Sequence, residues 1–253
     1  MDLSAFSLQG KTIAITGANT GIGQGIALSV ARAGGRVIGI GRSAMDETAS
    51  EVAKIGGDFA EVRADLGSGD NAHAVFDRIA RAHGVIDGLV NNAGIIRRTD
   101  AVDFTVEDWD DVMNVNLKSA FFLSQAFARH VFAASRRGKI VNIASLLSFQ
   151  GGIRVASYTA SKSGVLGVTR LLACEWAAKG LNVNAIAPGY IETNNTQALR
   201  DDPARRTAIL DRIPAGRWGL PSDIGDAAVF LLAPASDYMH GSVIAVDGGW
   251  LAR

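Results

Sequence analysis

Short, nearly continuous apolar runs alternate along this chain with longer stretches in which apolar side chains recur every three or four residues. The runs at 12–16, 36–40, 59–63, 88–91, 139–143, 182–187 and 243–246 predict about seven β-strands. The longer stretches predict helices over 23–33, where Gly34-Gly35 stops the pattern, and over 71–82, 158–178 and 222–232. Residues 106–134 read as mostly helical, with a break near Asn114 to Asn116. Strands that are apolar on both faces and separated by helices indicate an α/β fold, a doubly wound parallel sheet with helices on both faces. Residues 189–217 form the one long irregular stretch, with a short helical candidate near 203–213, and are expected to act as a mobile lid.

Composition narrows the picture. A chain of 253 residues, 48% apolar, suits one large domain, 1–253, with a single sheet. Lys plus Arg and Asp plus Glu are both 25, so no basic face for nucleic acid is expected. Apolar runs fall far short of a membrane span, and residues 1–10 lack a basic-then-apolar leader pattern, so a soluble cytoplasmic protein is expected. Cys174 is the only cysteine, which leaves no internal disulfide or thiolate cluster; its place in a helical run predicts buried packing. His73, His83, His130 and His240 are scattered without metal-ligand spacing, so no metal is expected.

The candidate chemistry centres on Ser157-Tyr158-Thr159-Ala160-Ser161-Lys162, with Ser145 upstream. Tyr158 and Lys162 are four residues apart, one turn on the same helix face. An ammonium beside a phenol favours the phenolate. Free tyrosine titrates near pH 10, so a useful base near neutrality needs roughly 3 to 4 kcal/mol of differential stabilisation. Taken alone, the pair also describes a packed tyrosine beside a solvated lysine.

Other segments add a nucleotide. Gly17, Asn19, Thr20, Gly21, Ile22 and Gly23 lie between the first strand and the first helix. There, glycines allow close backbone approach, and free N–H groups at the helix start suit a pyrophosphate. At the end of the second strand, Gly39-Ile40-Gly41-Arg42-Ser43 has no acid for ribose hydroxyls. Arg42 pairs with a 2′-phosphate, stacks on adenine or points into water; NAD is the favoured cofactor and NADP the alternative. Asp65-Leu66 suits an adenine edge, or Asp65 is an ordinary helix cap. Asn92, Ala93 and Gly94 end the fourth strand, where small residues admit a cofactor against the backbone.

Together with Asn116, Ser145, Tyr158-x-x-x-Lys162, Pro188-Gly189 and Thr193, these residues make the chain resemble the short-chain dehydrogenase/reductase family over nearly its full length. The resemblance implies a Rossmann-type fold and hydride exchange between a nicotinamide cofactor and a carbonyl or alcohol. It implies that Tyr158 is the general acid or base, that Lys162 lowers the Tyr158 pKa and binds ribose, and that Ser145 orients the substrate oxygen. Asn116 would hold a water in a proton relay. Pro188, Gly189, Ile191 and Thr193 would lie along the nicotinamide, and a homotetramer is the expected assembly.

Segments 144–154 and 189–197, with Ile95-Ile96-Arg97-Arg98 and the C-terminal 246–253, resemble more narrowly the members acting on keto and hydroxy sugar acids. The implied reaction interconverts 2-dehydro-3-deoxy-D-gluconate and its 2,5-diketo form, in the breakdown of pectin. A sugar-acid pocket needs a guanidinium and polar amides. Arg98 or Arg154 is the expected carboxylate clamp, with Gln150, Asn194 and Asn195 as polar contacts. Two other readings stand beside this one: a 3-oxoacyl-carrier reductase, which predicts a basic patch by the pocket, and a nucleotide-binding regulator without catalysis.

Overall fold

The structure, a computed structural model, describes residues 2–67 and 72–253. Seven parallel strands form one sheet: β1 (Thr12–Thr16), β2 (Arg36–Gly41), β3 (Phe59–Arg63), β4 (Gly88–Asn91), β5 (Gly138–Ile143), β6 (Leu181–Pro188) and β7 (Val243–Val246). Their order is β3-β2-β1-β4-β5-β6-β7. The chain winds outward from β1 to β3, then crosses back to lay β4 on the other side of β1. Strand order therefore reverses between β1 and β4, the place where open α/β sheets form a crevice at their carboxyl ends.

Alternation along β1 feeds two cores. Ile13 and Ile15 face a layer made by α1 (Gly21–Arg32) and α9 (Pro221–Leu232), where Ile26, Val30, Ile224 and Leu231 are buried. Ala14 faces the other layer, where α3 (Ala72–His83), α5 (Ser119–Ala133) and α6 (Ala156–Trp176) contribute Phe76, Phe127 and Leu172. Phe76 and Phe127 are fully buried and meet edge to face at 5.8 Å. Burying each such ring stabilises the fold by about 2 to 3 kcal/mol.

Several expectations need correction. An unpredicted helix, α2 (Asp46–Lys54), follows β2. Only Thr48 and Val52 of it are buried, too few for a visible apolar stripe. Its legible signal was charge: Asp46 and Glu47 open it and Lys54 closes it, complementing the helix dipole. The expected start of the third helix at Asn71 lies outside the described residues. The expected interruption near Asn114 is a π-turn, Asn114–Lys118, through which α4 (Val106–Met113) runs directly into α5. The stretch 189–217 holds the expected short helix as α8 (Pro203–Leu210) and, beyond expectation, α7 (Gln197–Asp201). Cys174 is exposed, not buried. Val165, Leu166, Thr169, Leu172, Ala173 and Trp176 define the inner face of α6, and position 174 falls outside it beside Leu171. Among the described residues, no helix is long and apolar enough to cross a membrane.

Candidate active site

A cleft of about 400 Å³ opens along the carboxyl ends of the strands. The loop from β1 into α1 forms one wall. Gly17 sits at φ +67°, a conformation that costs glycine little. Gly23 is required by packing, because a Cβ there would stand 2.0 Å from the Gly17 carbonyl oxygen. The Thr16 hydroxyl oxygen accepts from both the Asn92 and Ala93 N–H groups at 2.9 Å, and Asn92 Nδ2 donates to the Thr16 carbonyl at 2.9 Å. The end of β4 thus straps the glycine loop in place. Asn19, Thr20, Gly21 and Ile22 then line the cleft where α1 begins, presenting its free N–H groups.

Further along the same wall lie Arg42, Asp65, Leu66 and Gly94, together with Ser43, which sequence reasoning passed over. Among the described residues that line the cleft, Asp65 is the carboxylate, and none follows β2 directly. Asp65 Oδ1 accepts from Gly67 N–H at 2.9 Å, so it also organises its own turn. Pro188, Gly189, Ile191, Thr193, Asn194 and Asn195 make the opposite lip. Concave volume, glycine-lined backbone and a helix start all fit a dinucleotide laid across the switch point.

Ser145, Tyr158 and Lys162 meet at the inner end of the cleft. Ser145 ends the apolar run of β5 and caps a short turn, accepting from Leu147 N–H at 3.2 Å. The Ser145 side chain is close enough to the Tyr158 hydroxyl to act on its ionisation. Burial pushes the Tyr158 phenol above its ordinary 10, while Ser145 and the charge of Arg98 pull it down. The cation expected for that role behaves differently. Lys162 Nζ donates to the Ile143 carbonyl at 2.6 Å and stands 5.7 Å from the Tyr158 ring centre. Burial lowers its own pKa from 10.5 to about 8. In this arrangement Lys162 is anchored to β5 beside the Tyr158 ring, and Ser145 and Arg98 also favour the phenolate.

Asn116 lies behind the cleft, buried in the π-turn. Its Oδ1 accepts from Ile95 N–H at 2.8 Å, and its Nδ2 donates to the Ile95 carbonyl at 3.0 Å and to Ser161 Oγ at 3.2 Å. Both amide protons are therefore committed to holding the loop after β4 against α6. Ser148 is a second tie that sequence reasoning passed over: its hydroxyl donates to the Lys162 carbonyl at 2.7 Å and accepts from Ser145 N–H at 3.3 Å. The serine pair spaced three apart was the available signal.

The expected substrate contacts divide. Arg98 is exposed and does not itself line the cleft, but it donates to the carbonyl of Asn195, at the lip, at 3.2 Å, and its charge lowers the Tyr158 pKa. Arg154 does not line the cleft; it pairs with Asp100 at 3.0 Å on the exposed surface. Gln150 does not line it either, because its Oε1 accepts from Trp250 Nε1 at 3.2 Å. Asn194 and Asn195 remain at the lip.

Comparison with known proteins identifies the family. Residues 17–251 fit the family model described as enoyl-(acyl carrier protein) reductase. The chain is 60% identical over 253 residues, covering 100% of both chains, to the 2-dehydro-3-deoxy-D-gluconate 5-dehydrogenase of Escherichia coli (strain K12). A crystal structure assigned as a 2-deoxy-D-gluconate 3-dehydrogenase from Agrobacterium tumefaciens, with bound NADP, is 60% identical with a TM-score of 0.94, covering 98% of this chain and 99% of that one. Another, assigned as an NAD(P)-dependent gluconate 5-dehydrogenase from Beutenbergia cavernae, with NADP bound at low occupancy, is 50% identical with a TM-score of 0.94, covering 98% and 100%. With its parallel seven-stranded sheet and its Ser145, Tyr158 and Lys162 gathered at one end of the cleft, the chain belongs to the short-chain dehydrogenase/reductase family of nicotinamide-dependent oxidoreductases.

Proposed function

We propose that this enzyme interconverts 2-dehydro-3-deoxy-D-gluconate and its 2,5-diketo form, a step in the breakdown of pectin-derived uronates. The observation that carries the reading is Arg98. Its guanidinium donates to the carbonyl of Asn195 at the cleft lip and its charge bears on Tyr158, so it is the cation that a substrate entering past that lip would meet. A carboxylate at one end of a short sugar acid would meet Arg98 as its C5 oxygen reaches Ser145 and Tyr158. Arg154, held by Asp100, is the weaker of the two clamps.

In oxidation, Tyr158 removes the C5 hydroxyl proton while Ser145 hydrogen-bonds the same oxygen; in reduction, Tyr158 returns a proton to the developing alkoxide. The nicotinamide accepts or supplies the hydride. Lys162 would bind the nicotinamide ribose, and Asn116 holds the loop after β4 against α6. With its amide protons committed, a proton relay at Asn116 would rely on its oxygen atoms. Asp65 and Leu66 would flank the adenine, and segment 189–217 would close over the substrate as a lid.

For the nucleotide, NADP is the better fit than NAD. Arg42 and Ser43 line the adenosine end and no acid follows β2, so a 2′-phosphate would find a cation and a hydroxyl in place of repulsion. A homotetramer is proposed as the assembly; partly exposed Phe122 and Leu171 on α5 and α6 give it apolar surface to cover.

The test is a panel of keto sugar acids offered with NADH and NADPH, followed by nicotinamide absorbance, on the wild type and Arg98→Ala. The expected result is turnover of the 2,5-diketo acid with NADPH preferred, and a KM raised about tenfold or more in Arg98→Ala with NADPH affinity unchanged. Turnover of 3-oxoacyl thioesters alone would support the carrier-reductase reading instead.

A further inference from the structure

The C-terminal turn Trp250–Ala252 is joined to the catalytic loop by the hydrogen bond from Trp250 Nε1 to Gln150 Oε1, between residues 100 apart in sequence. Trp250 is only 4% exposed. Its ring lies 4.8 Å from that of Tyr190, and the Arg212 guanidinium stands 4.1 Å over it. Trp250 shares a small apolar cluster with Leu146, the neighbour of Ser145, and with Ile209 and Ile213 at the end of α8. Three pieces of chain therefore meet at one indole: the loop carrying Ser145, the stretch beyond α8, and the C-terminus.

The turn that presents the indole is itself fixed. Asp247 accepts from the Gly249 and Leu251 N–H groups, each at 2.9 Å. The Gly248 carbonyl accepts from Ala215 N–H at 2.9 Å, tying the turn to the 209–218 stretch. The cluster is distinct from the two cores that flank the sheet. An indole has two side-chain torsions and a single polar handle, which makes it a stiff spacer between an apolar neighbour and a hydrogen-bond acceptor.

We propose that Trp250, through Gln150, is a positioning residue that couples the docking of segment 189–217 to the placement of Ser145. When the stretch at 209–213 packs on the indole, the ring is pressed toward Gln150 and Leu146, and Ser145 is held where it meets Tyr158. When that stretch lifts, the loop 145–150 loses its outer support. The proposal rests on the sugar-acid reading for its substrate and on the structure alone for its coupling.

The test pairs Trp250→Phe, which keeps an aromatic ring and removes the indole N–H, with Gln150→Leu, which removes the acceptor. Each is expected to raise the KM for 2-dehydro-3-deoxy-D-gluconate about tenfold and to lower kcat, with cofactor Kd changed less than about twofold. The double variant should be no worse than the worse single, since either change breaks the same bond. Amide hydrogen exchange should quicken together at 146–150 and 209–213 in both variants. Unchanged KM with faster exchange confined to 250–253, or effects that multiply in the double variant, would overturn the coupling. Should the wild type turn over no sugar acid, the substrate assignment fails and the exchange pattern alone decides the coupling.

Discussion

Lys162 Nζ donates to the carbonyl oxygen of Ile143 at 2.6 Å, so the catalytic helix is pinned to the end of β5 by the charge of its own lysine. That ammonium is buried, and its pKa falls from 10.5 to about 8. The unfolded chain keeps the proton up to about 10.5, while the folded chain loses it near 8. Unfolding between those values takes up a proton, so folded stability rises with pH across that window and carries a constant penalty below it. Lys162→Met has no such dependence. The wild type should therefore gain on Lys162→Met by about 3 kcal/mol between pH 8 and 10.5, read from denaturant unfolding at several pH values. A difference that stays flat across the window would mean the lysine is not buried as a cation.

Tyr158 and Ser145 give a kinetic counterpart. Oxidation needs the phenolate, and burial raises the Tyr158 pKa, so the oxidation rate should climb with pH while reduction stays level through neutrality. Ser145 stands close enough to Tyr158 to lower that pKa, so Ser145→Ala should move the oxidation limb to higher pH and reduce kcat. Tyr158→Phe should lower turnover about 100-fold or more in both directions with cofactor still bound. Full activity in Tyr158→Phe would remove it from the chemistry, and cofactor binding without turnover in the wild type would leave the regulator reading.

Asn116 offers a test of scaffolding. Asn116→Ala would leave the Ile95 N–H and carbonyl without their partners behind the cleft. The expected cost is about 2 kcal/mol in denaturant unfolding, with kcat falling more than KM rises because the loop after β4 loosens from α6, which carries Lys162. Wild-type stability would show that the loop finds other partners.

The alternation of apolar strands with helical periods was sufficient to indicate the parallel sheet, because a strand covered on both faces is mostly apolar, as the wholly buried β6 is apart from Asn182 and Asn184, whose amides donate to the Met239 carbonyl. The order of glycine loop, Ser145, Tyr158 and Lys162 was likewise enough to indicate the cleft, since each sits at a strand end or helix start that local pattern marks. Local pattern says nothing about which partner a long or polar side chain meets. Arg98 and Arg154 looked equivalent as clamps until the fold put Asp100 beside one and Asn195 beside the other. Gln150 looked like a substrate contact until Trp250 arrived from the far end of the chain. Cys174 looked buried because it lies within the apolar-periodic run of α6, and only the contact face reveals which side meets the sheet. Backbone form follows from short-range periodicity and turn chemistry; side-chain partnership depends on competition among groups distant in sequence, decided only when the chain is closed upon itself.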